Sequence, residues 1–164
     1  MKRLAIAFTG PSNSGKTTII VKIAQILTKN HKVCIVKNDP KDKANFDTVG
    51  KDSYKFSQTG AEVVVTSPTR TTFFSKEYRD IDSIIEMIDD FDFLLVEGLK
   101  TLPLPRIAVF REKIDESYLN CIDALAIDDS IDLKSYDIPK NIDILDLNNP
   151  HEILDWVYDN AKEC

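Results

Sequence analysis

One stretch constrains this chain more than any other: Gly10-Pro11-Ser12-Asn13-Ser14-Gly15-Lys16-Thr17, set between a short apolar run and an amphipathic segment. It matches G-x-x-x-x-G-K-[ST], a phosphate-binding loop that needs a buried strand before it and a helix after it. The flanks meet that demand. Leu4 to Phe8 reads as the strand, and Ile19, Ile20, Ile23, Ile26 and Leu27 recur at helical spacing, opposite Lys22, Gln25 and Lys29. Glycine lets the loop curl so that successive backbone N–H groups face one anion, and the helix adds its positive N-terminal end. Gly10, Ser12, Asn13, Ser14, Gly15, Lys16, Thr17 and Thr18 are the expected contacts of a nucleoside triphosphate. Lys16 is expected to bridge the β- and γ-phosphates, Thr17 to bind Mg²⁺ through its hydroxyl, and Thr18 to touch the α-phosphate.

The rest of the chain agrees with that start. Val33 to Lys37, Glu62 to Thr66, Thr71 to Phe74, Phe91 to Val96, Ile107 to Phe110, Ala124 to Ile127 and Ile142 to Leu147 read as strands. Between them lie a short helix from Asp52 to Gln58, with Asp52 or Ser53 as its expected cap, and the stripe Ile81, Ile84, Ile85, Ile88. A closing helix has Asn149 at its cap and Pro150 at its first position. Strands alternating with helices predict an α/β fold, a three-layer sandwich of P-loop NTPase type. Its mostly parallel sheet carries helices on both faces, in one domain spanning residues 1–164. The Thr71 to Phe74 strand is expected as an antiparallel edge or hairpin.

Composition excludes some functions. The formal charge of −6 argues against nucleic acid, and no apolar run approaches the length of a membrane span. Residues 1–111 hold 17 basic and 13 acidic side chains, whereas residues 112–164 hold 4 and 14, so an anionic ligand favours the first part. The acidic remainder reads as a solvated face, with a docking surface for a basic partner as the alternative. Met1-Lys2-Arg3 runs straight into a strand, so no leader is expected. Cys34, Cys121 and Cys164 form no framework, which suits a reducing compartment such as the cytoplasm. Two of these thiols are expected buried and one on the tail.

Two further segments bear on chemistry. Glu97 follows Phe93-Leu94-Leu95-Val96 at the end of a buried strand, where P-loop proteins hold or orient the magnesium shell. The plainer reading is a solvated acid. Asp47-Thr48-Val49-Gly50-Lys51-Asp52-Ser53 has the parts of a switch segment, with Asp47 reaching the metal and Lys51 near phosphate. Such strings are also common in surface loops. Lys16, Lys51 and Glu97 are thus the catalytic candidates, and Thr17, Asp47 and Glu97 the metal candidates.

The loop Gly10 to Thr18, Asp47 before Gly50-Lys51-Asp52-Ser53, Gly60-Ala61, Val96-Glu97-Gly98, Pro105-Arg106 and Arg111 occur in an order that resembles the MobB family. These are adaptor proteins of molybdopterin-guanine dinucleotide biosynthesis. The resemblance implies a cytoplasmic GTP- and Mg²⁺-binding homodimer with weak GTPase activity. It implies an accessory role to the molybdenum cofactor guanylyltransferase, with molybdopterin itself as a further partner. Two departures stand out: Lys37-Asn38-Asp39-Pro40 replaces the histidines many members carry there, and Pro11-Ser12 stands where dimeric relatives in the wider class often carry an extra lysine, so that a partner's Lys51 or an arginine would have to serve. No Asn-Lys-x-Asp string reads guanine; Asp128 and Asp129 are the candidates, with loop carboxylates as the alternative. The competing function is a small-molecule kinase or ATP-dependent ligase of the same class, with Arg70 and Arg79 flanking a lid.

Overall fold

The computed structural model describes residues 2–88 and 90–164. In chain order the elements begin with β1 (Leu4–Thr9), α1 (Lys16–Leu27), β2 (Val33–Lys37), α2 (Asp52–Ser57), β3 (Val63–Thr66), β4 (Thr71–Phe74) and α3 (Ile81–Ile88). They continue with β5 (Phe93–Glu97), β6 (Arg106–Phe110), β7 (Ala124–Ile127), β8 (Asp143–Asp146), α4 (Pro150–Asn160) and β9 (Lys162–Glu163). Residues 1–38 with 90–164 form one compact unit, and residues 39–89 form another. No helix among the described residues is long and apolar enough to cross a membrane.

The first unit is a sheet in the order β2-β5-β1-β6-β7-β8, parallel throughout, with β9 antiparallel to the start of β1 at Leu4 and Ala5. Strands buried on both faces explain the unbroken apolar runs: Ala5 to Phe8, Phe93 to Val96 and Ile107 to Phe110 are all closed to solvent. On one face Ile6, Phe8, Leu95 and Val109 pack with Ile19, Ile23 and Leu27 of α1 and Ile153 and Val157 of α4. Each such side chain contributes about 1.5–3 kcal/mol by leaving water. On the other face, Ala108, Phe110, Leu125 and Ile127 pack with Ile114, Ile122, Ile131 and Ile142.

The crossovers from β6 to β7 and from β7 to β8 carry only 3₁₀ turns, at Glu116–Cys121 and Leu133–Ser135. Each is started by an aspartate, Asp115 or Asp132, whose carboxylate accepts the backbone N–H two residues on. Cys121 is exposed at the end of the first turn, where its thiol reaches the Tyr118 carbonyl, so only Cys34 is partly covered and the expectation of two buried thiols fails. The α4 start follows expectation: Asn149 accepts the Glu152 N–H at 3.3 Å, and Trp156 is buried with its indole N–H on Asp143 at 2.8 Å.

In the second unit, β3 and β4 form a separate antiparallel hairpin in the register Val63↔Phe74 to Thr66↔Thr71. Ser67 closes its turn, its hydroxyl accepting the Arg70 N–H at 3.1 Å. Ile81, Ile84, Ile85 and Ile88 give α3 a half-buried stripe. The expected cap of α2 is corrected. Lys51 occupies the cap position with no side-chain bond, because Asp52 lies within the helix paired to Lys55 and Ser53 donates to Asp47.

Candidate functional site

The site lies at the C-terminal end of β1, where sheet order departs from chain order. α1 carries the chain from β1 to β2, yet β5 lies between those strands and β6 lies on the other side. Ligands of α/β sheets bind outside the carboxyl ends of strands at such a switch point. After buried Thr9, Gly10 turns with φ 135°. A Cβ there would stand 2.4 Å from the Val109 carbonyl oxygen, so only glycine lets the loop leave β1 against its neighbour strand. Asn13 at φ 63° and Gly15 at φ 100° then curl the loop onto α1.

Three observations fit this loop to a phosphate. α1 starts at Lys16 behind Gly15, and no side chain caps its free N–H groups. The Ser14 hydroxyl is buried without a hydrogen-bond partner among the described residues, a state that costs about 1–3 kcal/mol. Lys16 folds back on the loop, donating to the carbonyls of Gly10 at 3.0 Å and Pro11 at 2.6 Å. These are donors held in place for an anion. Burial, helped by the nearby Lys37 charge, pulls the Lys16 pKa below its ordinary value, and Glu97 works against that shift. Ser12, Asn13 and Ser14 also line a cleft of about 500 Å³ whose other wall includes Arg111, Lys113 and Asp115. Thr17 and Thr18 stand exposed on the first turn of α1, and Thr18 neighbours Lys22, Arg111 and Leu147 in a small hollow.

Glu97 ends β5 in register with Phe8 on β1 and Lys37 on β2. Its carboxylate is 14% exposed and accepts from the Lys37 ammonium at 3.0 Å. The sheet thus brings Lys16, Glu97 and Lys37 to one edge. Asp47 and Lys51 belong to the second unit. Asp47 Oδ1 accepts from the Thr48 N–H at 2.8 Å and the Ser53 hydroxyl at 3.0 Å, and Oδ2 is buried with no partner among the described residues. Arg79, one of the two arginines flanking the lid expected of a kinase, is held by Glu62 at 3.0 Å and lies over the Phe73 ring.

Three residues at the site were given no role by the sequence, although Arg106 and Arg111 stand in the family-like motif and Lys37 beside it. Lys37 is the ion partner of Glu97; its only signal is the shared position at two strand ends. Arg106 is 2% exposed, and its guanidinium donates to the carbonyls of Gly98, Leu99 and Leu102 at 2.9–3.2 Å. It clamps the turn after Glu97, where Leu99 takes φ 47°. Burial lowers its pKa from the ordinary value. Arg111 reaches Asp128 at 3.2 Å, and its guanidinium would stand 3.3 Å from a Cβ on Gly15. Asp128 also accepts from the Ser130 hydroxyl and N–H, and those bonds, before the Arg111 charge, hold its carboxyl below its ordinary pKa. Both oxygens of this candidate base reader are engaged, Oδ1 by Ser130 in its own loop and Oδ2 by Arg111 after β6.

Residues 5–128 match the family described as Molybdopterin guanine dinucleotide synthesis protein B, MobB. A putative molybdopterin-guanine dinucleotide biosynthesis adapter protein of Methanocaldococcus jannaschii is 30% identical over 130 residues, which cover 76% of this chain and 54% of that protein. The chain therefore spans about half the length of that relative. The adapter protein of Escherichia coli is 28% identical over 162 residues, covering 93% of this chain and 90% of its own. Among solved structures, Bacillus subtilis MobB shares the fold with a TM-score of 0.77 at 23% identity, over 97% of this chain and 98% of that one.

Proposed function

This chain belongs to the molybdopterin guanine dinucleotide synthesis protein B family, and on that premise we propose that it is a GTP-binding adapter in molybdopterin guanine dinucleotide synthesis. The observation that carries the nucleotide reading is the Ser14 hydroxyl, buried without a partner in a loop whose helix N–H groups are also uncapped. In this reading the triphosphate takes those donors, and Lys16 leaves the Gly10 and Pro11 carbonyls for the β- and γ-phosphates. Thr17 and Glu97 would hold Mg²⁺, which supplies charge neutralisation on the phosphate oxygens when bound. Lys37 keeps the Glu97 carboxylate oriented.

Hydrolysis is slow in this reading. No glutamine lies between Asp47 and Ser53 to orient water, and no arginine lies inside the loop, and these parts supply much of the rate in fast GTPases. The protein then acts through a partner, the guanylyltransferase of the pathway, in the cytoplasm and as a homodimer. The acidic segment 112–164 is its docking surface.

Titration calorimetry with GTP, GDP and ATP, each with Mg²⁺, tests the reading. Charge-assisted bonds to phosphate from Lys16 make a loss of about 100-fold in GTP affinity the expected result of Lys16→Ala. Unchanged affinity would refute the phosphate assignment, and a preference for ATP would refute guanine recognition. Glu97→Gln keeps the size and loses the charge, so hydrolysis should fall further than binding; hydrolysis at the original rate reduces Glu97 to a strand end.

A further inference from the structure

The guanidinium of Arg111 stands against the last bend of the phosphate loop. All three atoms nearest to a Cβ on Gly15 would belong to it, with Nε at 3.3 Å. Gly15 is the cap residue of α1, and Thr18, on the first turn of that helix, shares a small hollow with Arg111 and Lys22. Arg111 also lines the larger cleft beside Ser12, Asn13 and Ser14. Its side chain is 45% exposed, so a ligand at the loop can reach it. The positive end of a helix repels a cation, so an arginine stays there only if something holds it.

What holds it is a closed set of contacts between the segments after β6 and β7. Arg111 Nε lies 3.2 Å from Asp128 Oδ2. Asp128 Oδ1 accepts from the Ser130 N–H at 3.2 Å and from the Ser130 hydroxyl, and the Ser130 oxygen in turn accepts the Glu112 N–H at 2.8 Å. Glu112, next to Arg111, takes φ 65°, a left-handed conformation that a residue with a side chain adopts only where its surroundings impose it. The arginine is thus anchored through Nε, and its Nη groups make no hydrogen bond with any described residue. Two terminal nitrogens presented in this way form a planar fork that matches two oxygens of one phosphate.

We propose that Arg111 is a further phosphate-binding residue of this site and serves the α-phosphate, its Nη groups donating to the oxygens on the side of the loop where Gly15 and Thr18 lie. Asp128 is then a positioning residue: its carboxylate holds the guanidinium at the loop and is not free to read a base. Both roles rest on the nucleotide reading, in which Lys16 serves the β- and γ-phosphates and Thr18 touches the α-phosphate. Two cations divide the chain of phosphates between them, one at the start of α1 and one after β6.

Calorimetric titration of the full chain with GTP, GDP and GMP separates the two cations, because GMP keeps only the phosphate assigned to Arg111. Arg111→Gln should weaken all three about tenfold, whereas Lys16→Ala should weaken GTP far more than GMP. A thermal melt checks that each variant folds, as a side chain nearly half exposed leads one to expect. Asp128→Asn should weaken the three by one common factor of about threefold, and adding it to Arg111→Gln should cost nothing more, since both remove the same contact. Additive losses would end the positioning role of Asp128. So would a preference of Asp128→Asn for xanthosine 5′-diphosphate over GDP, because asparagine donates to a 2-oxo group where aspartate accepts from a 2-amino group. The role of Arg111 is overturned if Arg111→Gln leaves GMP affinity unchanged, or if GMP does not bind the wild-type chain. Unchanged GTP affinity in Lys16→Ala refutes the phosphate loop itself and Arg111 with it; a Lys16 effect without an Arg111 effect overturns Arg111 alone.

Discussion

The first unit closes its apolar residues away from water, and the second leaves many of them open. Ala5, Ile6, Ala7 and Phe8 on β1 are 0% exposed, whereas Val64 and Val65 on β3 are 58% and 40% exposed. Phe46, Val49 and Phe56 in the second unit are more than half exposed as well. The cause is sheet size. A central parallel strand has a neighbour on each edge and cover on each face, but a two-stranded hairpin has few partners and is marginal alone. The first unit can therefore hold a phosphate loop rigid against its sheet. The second is built to open locally at low cost, a property suited to recognition.

That contrast can be broken most severely at glycine. Gly10→Ala puts a Cβ against the Val109 backbone, at a positive φ, and should cost about 3 kcal/mol in a denaturant melt. Gly60→Ala in the second unit also has positive φ, but nothing lies within 4 Å, so only the backbone term of about 1 kcal/mol remains. Equal losses would remove the distinction between the two units. Arg106→Met comes next. It leaves the Gly98, Leu99 and Leu102 carbonyls without their donor, and urea titration should show a loss of about 2 kcal/mol.

Smaller effects sharpen the comparison. Trp156→Phe keeps the ring in the core and loses the bond to Asp143, for about 1 kcal/mol. Phe56→Ser, at a position 60% exposed, should shift stability by no more than about 0.5 kcal/mol. A loss of several times that size, growing with protein concentration, would mean that the open face of the second unit is covered in solution.

Legibility in the sequence followed the range of each interaction. β2, β4 and β7 were readable to the residue because each is a run of apolar or β-branched side chains between turn signals. β9 was not, since Lys162 and Glu163 show no periodicity and pair only because β1 lies beside them. The 3₁₀ turns after β6 and β7 were equally silent: their apolar residues are spaced for neither helix nor strand. Cys121 looked like a core thiol by residue type, and its place on one of those turns exposes it.

The sequence by itself determined the phosphate loop and the frame around it. Every determinant there is local: a strand, glycines at two of the loop's bends and Asn13 at the third, a lysine and two threonines, and a helix, all within 24 residues from Leu4 to Leu27. Only the tertiary structure decided that Lys37 holds Glu97, that Arg106 clamps the turn after it, and that Asp47, Lys51 and Arg70 line one hollow. Lys37 and Glu97 are 60 positions apart in the chain and become neighbours through the β2–β5 register. Charge and hydrogen bonding act through space over a few ångströms, so a pair that the sheet assembles leaves no mark on the spacing of the residues that make it.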